Sequence, residues 1–61
     1  MIAVRAFNSD IQVAEYANLV EKHGGTVLSV AVSPKSRWHV FFRVEDERIL
    51  ASADAEFSKT G

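Results

Sequence analysis

The chain contains no cysteine, and in a protein of 61 residues this absence restricts how the fold can be stabilised. A domain this small buries only about 60% of the surface that its unfolded chain exposes. Disulfides and thiolate metal sites stabilise many such domains, but both require cysteine. We therefore expect one domain, over residues 1–61, that relies on hydrophobic packing or on association with another chain.

The composition is that of a folded chain without a strong charge bias. Hydrophobic residues make up 48% of the sequence and charged residues 25%, which is typical of globular rather than disordered proteins. The net charge of −1 argues against tight, non-specific binding to nucleic acid. The first residues have neither a charged lead nor a long apolar run, so we expect no signal peptide, no membrane span and a cytoplasmic location.

Three stretches have the two-residue periodicity of β-strands. Residues 2–7, 26–32 and 38–44 alternate apolar side chains with others, which predicts a strand in each. Pro34 cannot donate a hydrogen bond to a sheet, so the second strand is expected to end at Ser33. The five-residue connection that follows favours an antiparallel hairpin between the second and third strands.

A first helix is predicted between the first two strands. Ser9 and Gln12 have the spacing of a capping box, and the residues after them are apolar at helical spacing. Gly24 and Gly25 suit the end of a helix, because glycine tolerates the left-handed conformation found there. The pattern predicts a helix over about 10–23.

A second helix is predicted after the acidic segment 45–47. The apolar side chains that share one arc of a helical wheel are Ile49, Leu50, Ala53 and Phe57. Asp46 suits the N-cap position, so we expect a helix over about 47–58. A short fourth strand at Arg48–Ala51 is the alternative.

The element order β-α-β-β-α predicts an α+β domain of two layers, with a small three-stranded sheet and both helices on one of its faces. If the first two strands lie parallel in one sheet, their connection is expected to be right-handed. Two helices cover one face only, so the other face is expected to remain uncovered.

The alternation assigns each strand residue to one of the two faces. The face under the helices is predicted to carry Ile2, Val4, Ala6, Leu28, Val30, Val32, Val40, Phe42 and Val44, with Trp38 at its rim. The uncovered face is predicted to carry Ala3, Arg5, Phe7, Val27, Ser29, Ala31, His39, Phe41 and Arg43. This mixture of apolar side chains with Arg and His is typical of an interaction surface, whereas scattered exposed apolar residues are the ordinary alternative.

The end of the first helix, Glu21-Lys22-His23-Gly24-Gly25, and the following strand, Thr26-Val27-Leu28-Ser29-Val30, resemble the first half of a ferredoxin-like domain of the ACT type. The resemblance covers about residues 1–45 and implies the fold together with pairing through sheet edges or faces. Ligand-binding members have an Asp-x-Pro-Gly turn after the first strand. This chain has Asn8-Ser9-Asp10 there, so amino-acid binding is not expected.

The sequence contains no catalytic, metal-binding or cofactor-binding signature. His23 and His39 are the only histidines, and neither has a second ligand at metal-binding spacing. No serine lies in a nucleophile elbow, and Gly24-Gly25 follows a helix rather than preceding one, so it is not a phosphate loop. We therefore expect no enzymatic activity and no cofactor.

The prediction for function is a non-enzymatic protein-interaction module. We expect a homodimeric regulator, adaptor or inhibitor that docks on a larger protein, a role common among short accessory factors, including viral ones. The predicted partner-binding residues are Arg5, Phe7, Lys35, Arg37, Trp38, His39, Phe41 and Arg43. The alternative is nucleic-acid binding, in which the uncovered face and the 34–39 loop place cations on phosphates and aromatic rings on bases.

Overall fold

In the computed structural model, residues 1–59 are described in full and Thr60 by its backbone. The elements are β1 Ile2–Phe7, α1 Asp10–Lys22, β2 Thr26–Val32, β3 Trp38–Arg43 and α2 Glu47–Thr60. The α+β class and the order β-α-β-β-α are confirmed. The alternative strand at Arg48–Ala51 is wrong, because those residues lie in α2.

The three strands form one sheet in the order β1-β3-β2, and both neighbouring pairs are antiparallel. The predicted hairpin between β2 and β3 is therefore confirmed. Since β1 and β2 both run antiparallel to β3, they run in the same direction, with β3 between them. The central strand is thus β3, and β1 and β2 are the two edges of the sheet.

Helix α1 begins at the predicted cap. The Gln12 N–H donates to Ser9 Oγ at 3.3 Å, and Gln12 Oε1 accepts from the Asn8 N–H at 3.3 Å. The glutamine therefore reaches back one residue further than in the usual capping box. The bond to Ser9 satisfies an N–H group that the first turn of a helix leaves without a backbone partner, and the bond from Asn8 fixes the residue that precedes the cap.

Helix α1 ends where the two glycines were expected to end it. Gly24 has a φ of 99°, in the left-handed region that glycine adopts without steric cost. The Gly25 N–H donates to the Val20 carbonyl at 2.9 Å. A Cβ on Gly25 would lie only 2.5 Å from Val20 Cγ1 and 3.1 Å from Val44 Cγ1, so the turn packs directly against the core.

Helix α2 is capped by Asp46. Its Oδ1 accepts a hydrogen bond from the Arg48 N–H at 2.9 Å, and its carbonyl accepts one from the Ile49 N–H at 3.1 Å. The predicted N-cap is therefore confirmed.

The core lies between the sheet and the two helices. Its buried residues are Val13, Tyr16 and Val20 of α1, Val40, Phe42 and Val44 in and after β3, and Leu50 and Ala53 of α2. The Tyr16 ring is central, with its centroid 5.2 Å from that of Phe7 and 5.5 Å from those of Phe42 and Phe57. Aromatic pairs at such separations add stabilisation beyond the area they bury.

The predicted faces of β1 are reversed. The exposed row of this strand is Ile2, Val4 and Ala6, whereas the row facing the helices is Ala3, Arg5 and Phe7. Ile2 is 65% exposed and Val4 46% exposed. The prediction for β1 was therefore wrong by one residue.

The pairing with β3 explains this reversal. Residues directly opposite each other in an antiparallel pair project to the same face, and Ala3 lies opposite the buried Phe42 while Phe7 lies opposite Trp38. The inward row contains Arg5 and the outward row is wholly apolar, so polarity within the strand favours the wrong row. The register against β3 decides it.

Strand β2 follows the prediction only in part, because a bulge lies between Val27 and Ser29. Val27 packs against the core, although it was predicted on the uncovered face. Beyond the bulge the expected alternation returns, with Ser29 opposite Phe41 and Val30 opposite Val40. A bulge adds one residue to a strand, and such an addition shifts the faces on one side of it.

The helices do not cover the whole of their face of the sheet. Leu28, Val30 and Val32, all predicted to be covered, are 42%, 46% and 53% exposed. Strand β2 is therefore an edge whose apolar side chains remain largely in contact with solvent.

Candidate interaction surface

The face of the sheet that the helices leave uncovered is centred on Phe41. Val4 of β1 and Ser29 of β2 lie directly opposite Phe41, one on each side. Phe41 is 36% exposed, whereas its neighbour in sequence, Phe42, is fully buried. This surface, the open face, consists of Ile2, Val4, Ala6, Thr26, Ser29, Ala31, His39, Phe41 and Arg43.

The sheet side of the molecule is basic relative to the helix side. Arg43 lies on the open face, and Lys35 and Arg37 lie in the hairpin loop at the far end of β3. Residues 26–44 contain no Asp or Glu, and every acidic residue lies in or beside a helix. The chain is therefore polarised although its net charge is close to zero.

The hairpin loop has a defined backbone turn, and Lys35 and Arg37 belong to it. The Ser36 N–H donates to the Ser33 carbonyl at 3.0 Å, and the Ser33 N–H donates to the Arg37 carbonyl at 2.9 Å. Ser36 has a φ of 61°, which is uncommon for a residue with a side chain. Lys35 and Arg37 are exposed on this turn.

The structure brings together only some of the residues predicted to bind a partner. His39, Phe41 and Arg43 form one row along β3 on the open face. Lys35 and Arg37 lie beyond the end of that row in the loop. Five of the eight predicted residues therefore lie on the open face or in the hairpin loop beside it.

The other three predicted residues face the helices. The face predicted for Arg5 and Phe7 is wrong, whereas Trp38 lies on the face predicted for it; the role of all three in partner binding stays a prediction. Arg5 Nη2 donates to Asp54 Oδ2 at 3.3 Å, and the Phe7 ring lies 5.5 Å from that of Phe57. Trp38 is partly buried against the core, close to the rim position expected for it. Arg5 and Phe7 are misplaced because the faces of β1 are reversed.

The contribution of β1 to the open face does not follow from the sequence pattern. Ile2 and Val4 are 65% and 46% exposed on this face, and Ala6 lies beside them, whereas the alternation predicts all three in the core. The local signal in the strand is misleading, because the charged Arg5 belongs to the row of Ala3 and Phe7 that faces the helices. Their placement depends on the pairing with β3, which lies more than thirty residues further along the chain.

A polar link joins β1 to both helices at the edge of the core. Tyr16 of α1 donates a hydrogen bond to Asp54 Oδ1 of α2, and Arg5 of β1 pairs with the other carboxylate oxygen. Burial, together with the hydrogen bond to Asp54, raises the pKa of Tyr16 to about 12. This link provides a hydrogen-bond acceptor for the Tyr16 hydroxyl, which lies within the aromatic core.

A second polar contact joins the end of α1 to α2. Glu56 accepts hydrogen bonds from Lys22 Nζ at 3.1 Å and contacts His23 Nε2 at 2.9 Å. The hydrogen bond from Lys22, with that from His23, lowers the pKa of the Glu56 carboxyl. Both contacts lie on the helix side, so the open face takes no part in holding the helices.

The described part of the chain offers no cluster suited to a metal ion, since no three His, Asp or Glu side chains converge. No helix within the described residues has the length and apolar character needed to cross a bilayer. The feature with the clearest capacity for recognition is therefore the open face, which combines an aromatic ring, aliphatic side chains and cations.

Comparison with family models, with curated proteins and with solved structures found no match to this chain. A function for this chain is therefore inferred from the geometry of the open face and of the sheet edges.

Proposed function

We propose that this protein is a non-enzymatic protein-interaction module, a homodimeric regulator, adaptor or inhibitor that docks on a larger protein and acts in the cytoplasm. The observation that supports the proposal is the open face. Its exposed side chains include the central Phe41 and the row Ile2, Val4 and Ala6. Exposed apolar patches of this kind, bordered by polar groups, are typical of protein-binding surfaces.

The charges of the open face indicate the chemistry of the larger partner. Arg43 borders the apolar centre, Lys35 and Arg37 extend the basic region, and the face carries no acidic residue. A complementary partner has an apolar patch bordered by Asp or Glu. Aromatic and arginine side chains contribute most to the binding energy of such interfaces, so Phe41 and Arg43 are the expected anchors.

Capture experiments with matched variants test this proposal. The immobilised protein is exposed to an extract of the cells that produce it, in parallel with Phe41→Ser and Ile11→Ser variants. Ile11 is 67% exposed on α1, so its substitution removes an exposed apolar side chain from the opposite side of the molecule. We expect a specific protein to be retained by the original chain and by Ile11→Ser and lost with Phe41→Ser.

Equal retention by the original chain and the Phe41→Ser variant would contradict a docking role for the open face. Circular dichroism of each variant confirms that it is folded before the comparison is made.

Nucleic-acid binding is the second candidate, supported by the row His39, Phe41 and Arg43 on an uncovered sheet with Lys35 and Arg37 beyond it. Aromatic side chains on a sheet can stack on bases while cations contact phosphates. Retention on immobilised single-stranded RNA that falls steeply with salt, and is lost with Lys35→Ala plus Arg37→Ala, favours this function. No retention at low salt excludes it.

A further inference from the structure

The outer edge of β1 presents, at regular intervals, backbone groups that have no partner strand. The Met1 ammonium donates to the Val44 carbonyl at 2.6 Å, and the Val44 N–H donates to the Met1 carbonyl at 2.9 Å. Met1 and Val44 are thus a hydrogen-bonded pair. Because such pairs alternate with non-bonded pairs in an antiparallel ladder, the N–H and C=O groups of Ile2, Val4 and Ala6 point away from the sheet.

The two edges of the sheet differ in how well they are protected against pairing. Strand β2 is interrupted by its bulge and followed by Pro34, and both features discourage strand addition. Strand β1 is regular over its whole length and contains neither proline nor lysine. Its one charged residue, Arg5, is paired with Asp54.

Two further features concern the access of another strand to the β1 edge. A groove of about 350 Å³ runs between β1 and α2, lined by Met1, Arg5, Glu47, Leu50, Ala51 and Asp54. Arg5 Nη1 donates to the outward Val4 carbonyl at 3.1 Å. A carbonyl oxygen has two lone pairs, so this contact leaves it able to accept an N–H from another strand.

We propose that β1 pairs antiparallel with β1 of a second copy of this chain. The outward residues are arranged symmetrically about Val4, so a two-fold axis there places Val4 opposite Val4 and Ile2 opposite Ala6. Each of these pairs exchanges two hydrogen bonds. This inference rests on the proposed homodimer and states which surface forms it.

The arrangement is closed by its two-fold symmetry. On the helix side, Arg5 of one copy lies beside Ala3 of the other, whose small side chain leaves room for the guanidinium. The combined six-stranded sheet has β2 at both outer edges, where the bulge limits further pairing. Two-fold closure of this kind gives a dimer rather than a fibre.

Pairing through β1 leaves the open face available and enlarges it. The rows of Ile2, Val4 and Ala6 from the two copies become neighbours, which doubles the apolar surface around the two-fold axis. The edge then serves self-association, and the joined open faces serve the larger partner.

The absence of cysteine allows a direct test by disulfide formation. In a hydrogen-bonded antiparallel pair the Cα atoms are about 5.5 Å apart, which is within the range that a disulfide bridges. The experiment oxidises a Val4→Cys variant at low protein concentration and follows the dimer by non-reducing electrophoresis. A Ser29→Cys variant is the matched control, because Ser29 also flanks Phe41 on the open face but lies on the β2 edge.

We expect the Val4→Cys variant to be converted almost completely into a reducible dimer, with the Ser29→Cys variant left mostly as single chains. An Ile2→Cys and Ala6→Cys mixture is expected to cross-link, since the register places these positions opposite each other, whereas either variant alone is not. Sedimentation of the original chain is expected to give the mass of two copies.

Two other results overturn the edge pairing and separate it from the proposed function. A dimer of the original chain in which Val4→Cys cross-links no faster than Ser29→Cys shows that self-association uses another surface. A chain that sediments as one copy, yet retains a partner through Phe41, keeps the docking role and rejects self-pairing.

Discussion

Phe41 and Phe42 are neighbours in sequence and have opposite environments. Phe42 is fully buried beneath the helices and contacts the Tyr16 ring, whereas Phe41 lies on the open face. Successive side chains of a strand point to opposite faces, so Phe41 and Phe42 report the environments of the two sides of the sheet at adjacent positions. One face holds the domain together, and the other is available for binding.

The two faces also differ in how their polar groups are arranged. The covered face carries Arg5, whose charge is paired with Asp54, and Asp54 also accepts the Tyr16 hydroxyl. The open face carries His39 and Arg43 beside apolar side chains. The Tyr16 hydroxyl must have a partner because the residue is only 1% exposed, whereas the Arg5 and Asp54 side chains lie at the edge of the covered face and are 37% and 47% exposed. A polar group on the open face remains hydrated until a partner protein covers it.

The largest effect is expected from Phe42→Ala. Removing a buried phenylalanine costs about 3–5 kcal/mol, which is comparable with the whole stability of a domain this small. We expect this variant to be unfolded, as measured by circular dichroism and chemical denaturation. Phe41→Ser is the control, and we expect it to lower the free energy of unfolding by about 1 kcal/mol or less. Similar losses for both would contradict the difference between the faces.

A smaller loss is expected from Gly25→Ala on the covered side. The added Cβ would meet Val20 and Val44 at distances well below van der Waals contact, and both are buried, β-branched side chains that cannot move aside easily. Overpacking of this kind costs about 1–3 kcal/mol. Ala31→Val adds carbon atoms on the open face, where we expect a change within about 0.5 kcal/mol by urea denaturation. Equal effects would show that the open face is already packed.

A pH dependence is expected from the covered face, where Tyr16 lies. The pKa of Tyr16 is raised to about 12 by burial and by its hydrogen bond to Asp54, from an ordinary value of about 10. Folding therefore favours the neutral phenol. The resulting stabilisation is present in full below pH 10 and is lost as the pH rises towards 12.

Tyr16 is the only tyrosine, so phenolate absorbance reports its ionisation directly. We expect it to titrate near pH 12 in the folded chain and near its ordinary value in urea. A Tyr16→Phe variant is expected to lack this component of the alkaline loss of stability. Titration of the Tyr16 phenol near pH 10 in the folded chain would contradict this prediction. It would mean that the Tyr16 ring is more accessible to solvent than Phe42, its neighbour in the core.

The elements of the fold could be predicted from local patterns, because caps and periodicity act within a few residues. The Ser9 cap, the Gly24-Gly25 end of α1 and the Asp46 cap of α2 all occur where the sequence predicts them. The faces of β3 could be predicted as well, since its two rows differ clearly in polarity. The faces of β1 could not be, because the row that faces the helices contains the charged Arg5, while the row on the open face is wholly apolar.

What the sequence determined by itself was the number, type and order of the elements, since hydrogen bonds and side-chain spacing within each segment decide these. What only the tertiary structure decided was which row of β1 faces the helices and where β2 is interrupted. These depend on the register between distant strands, and a shift of one residue moves every side chain to the other face. Packing of Phe7 against Tyr16 and Phe57 is compatible with one register, which places Ile2, Val4 and Ala6 on the open face.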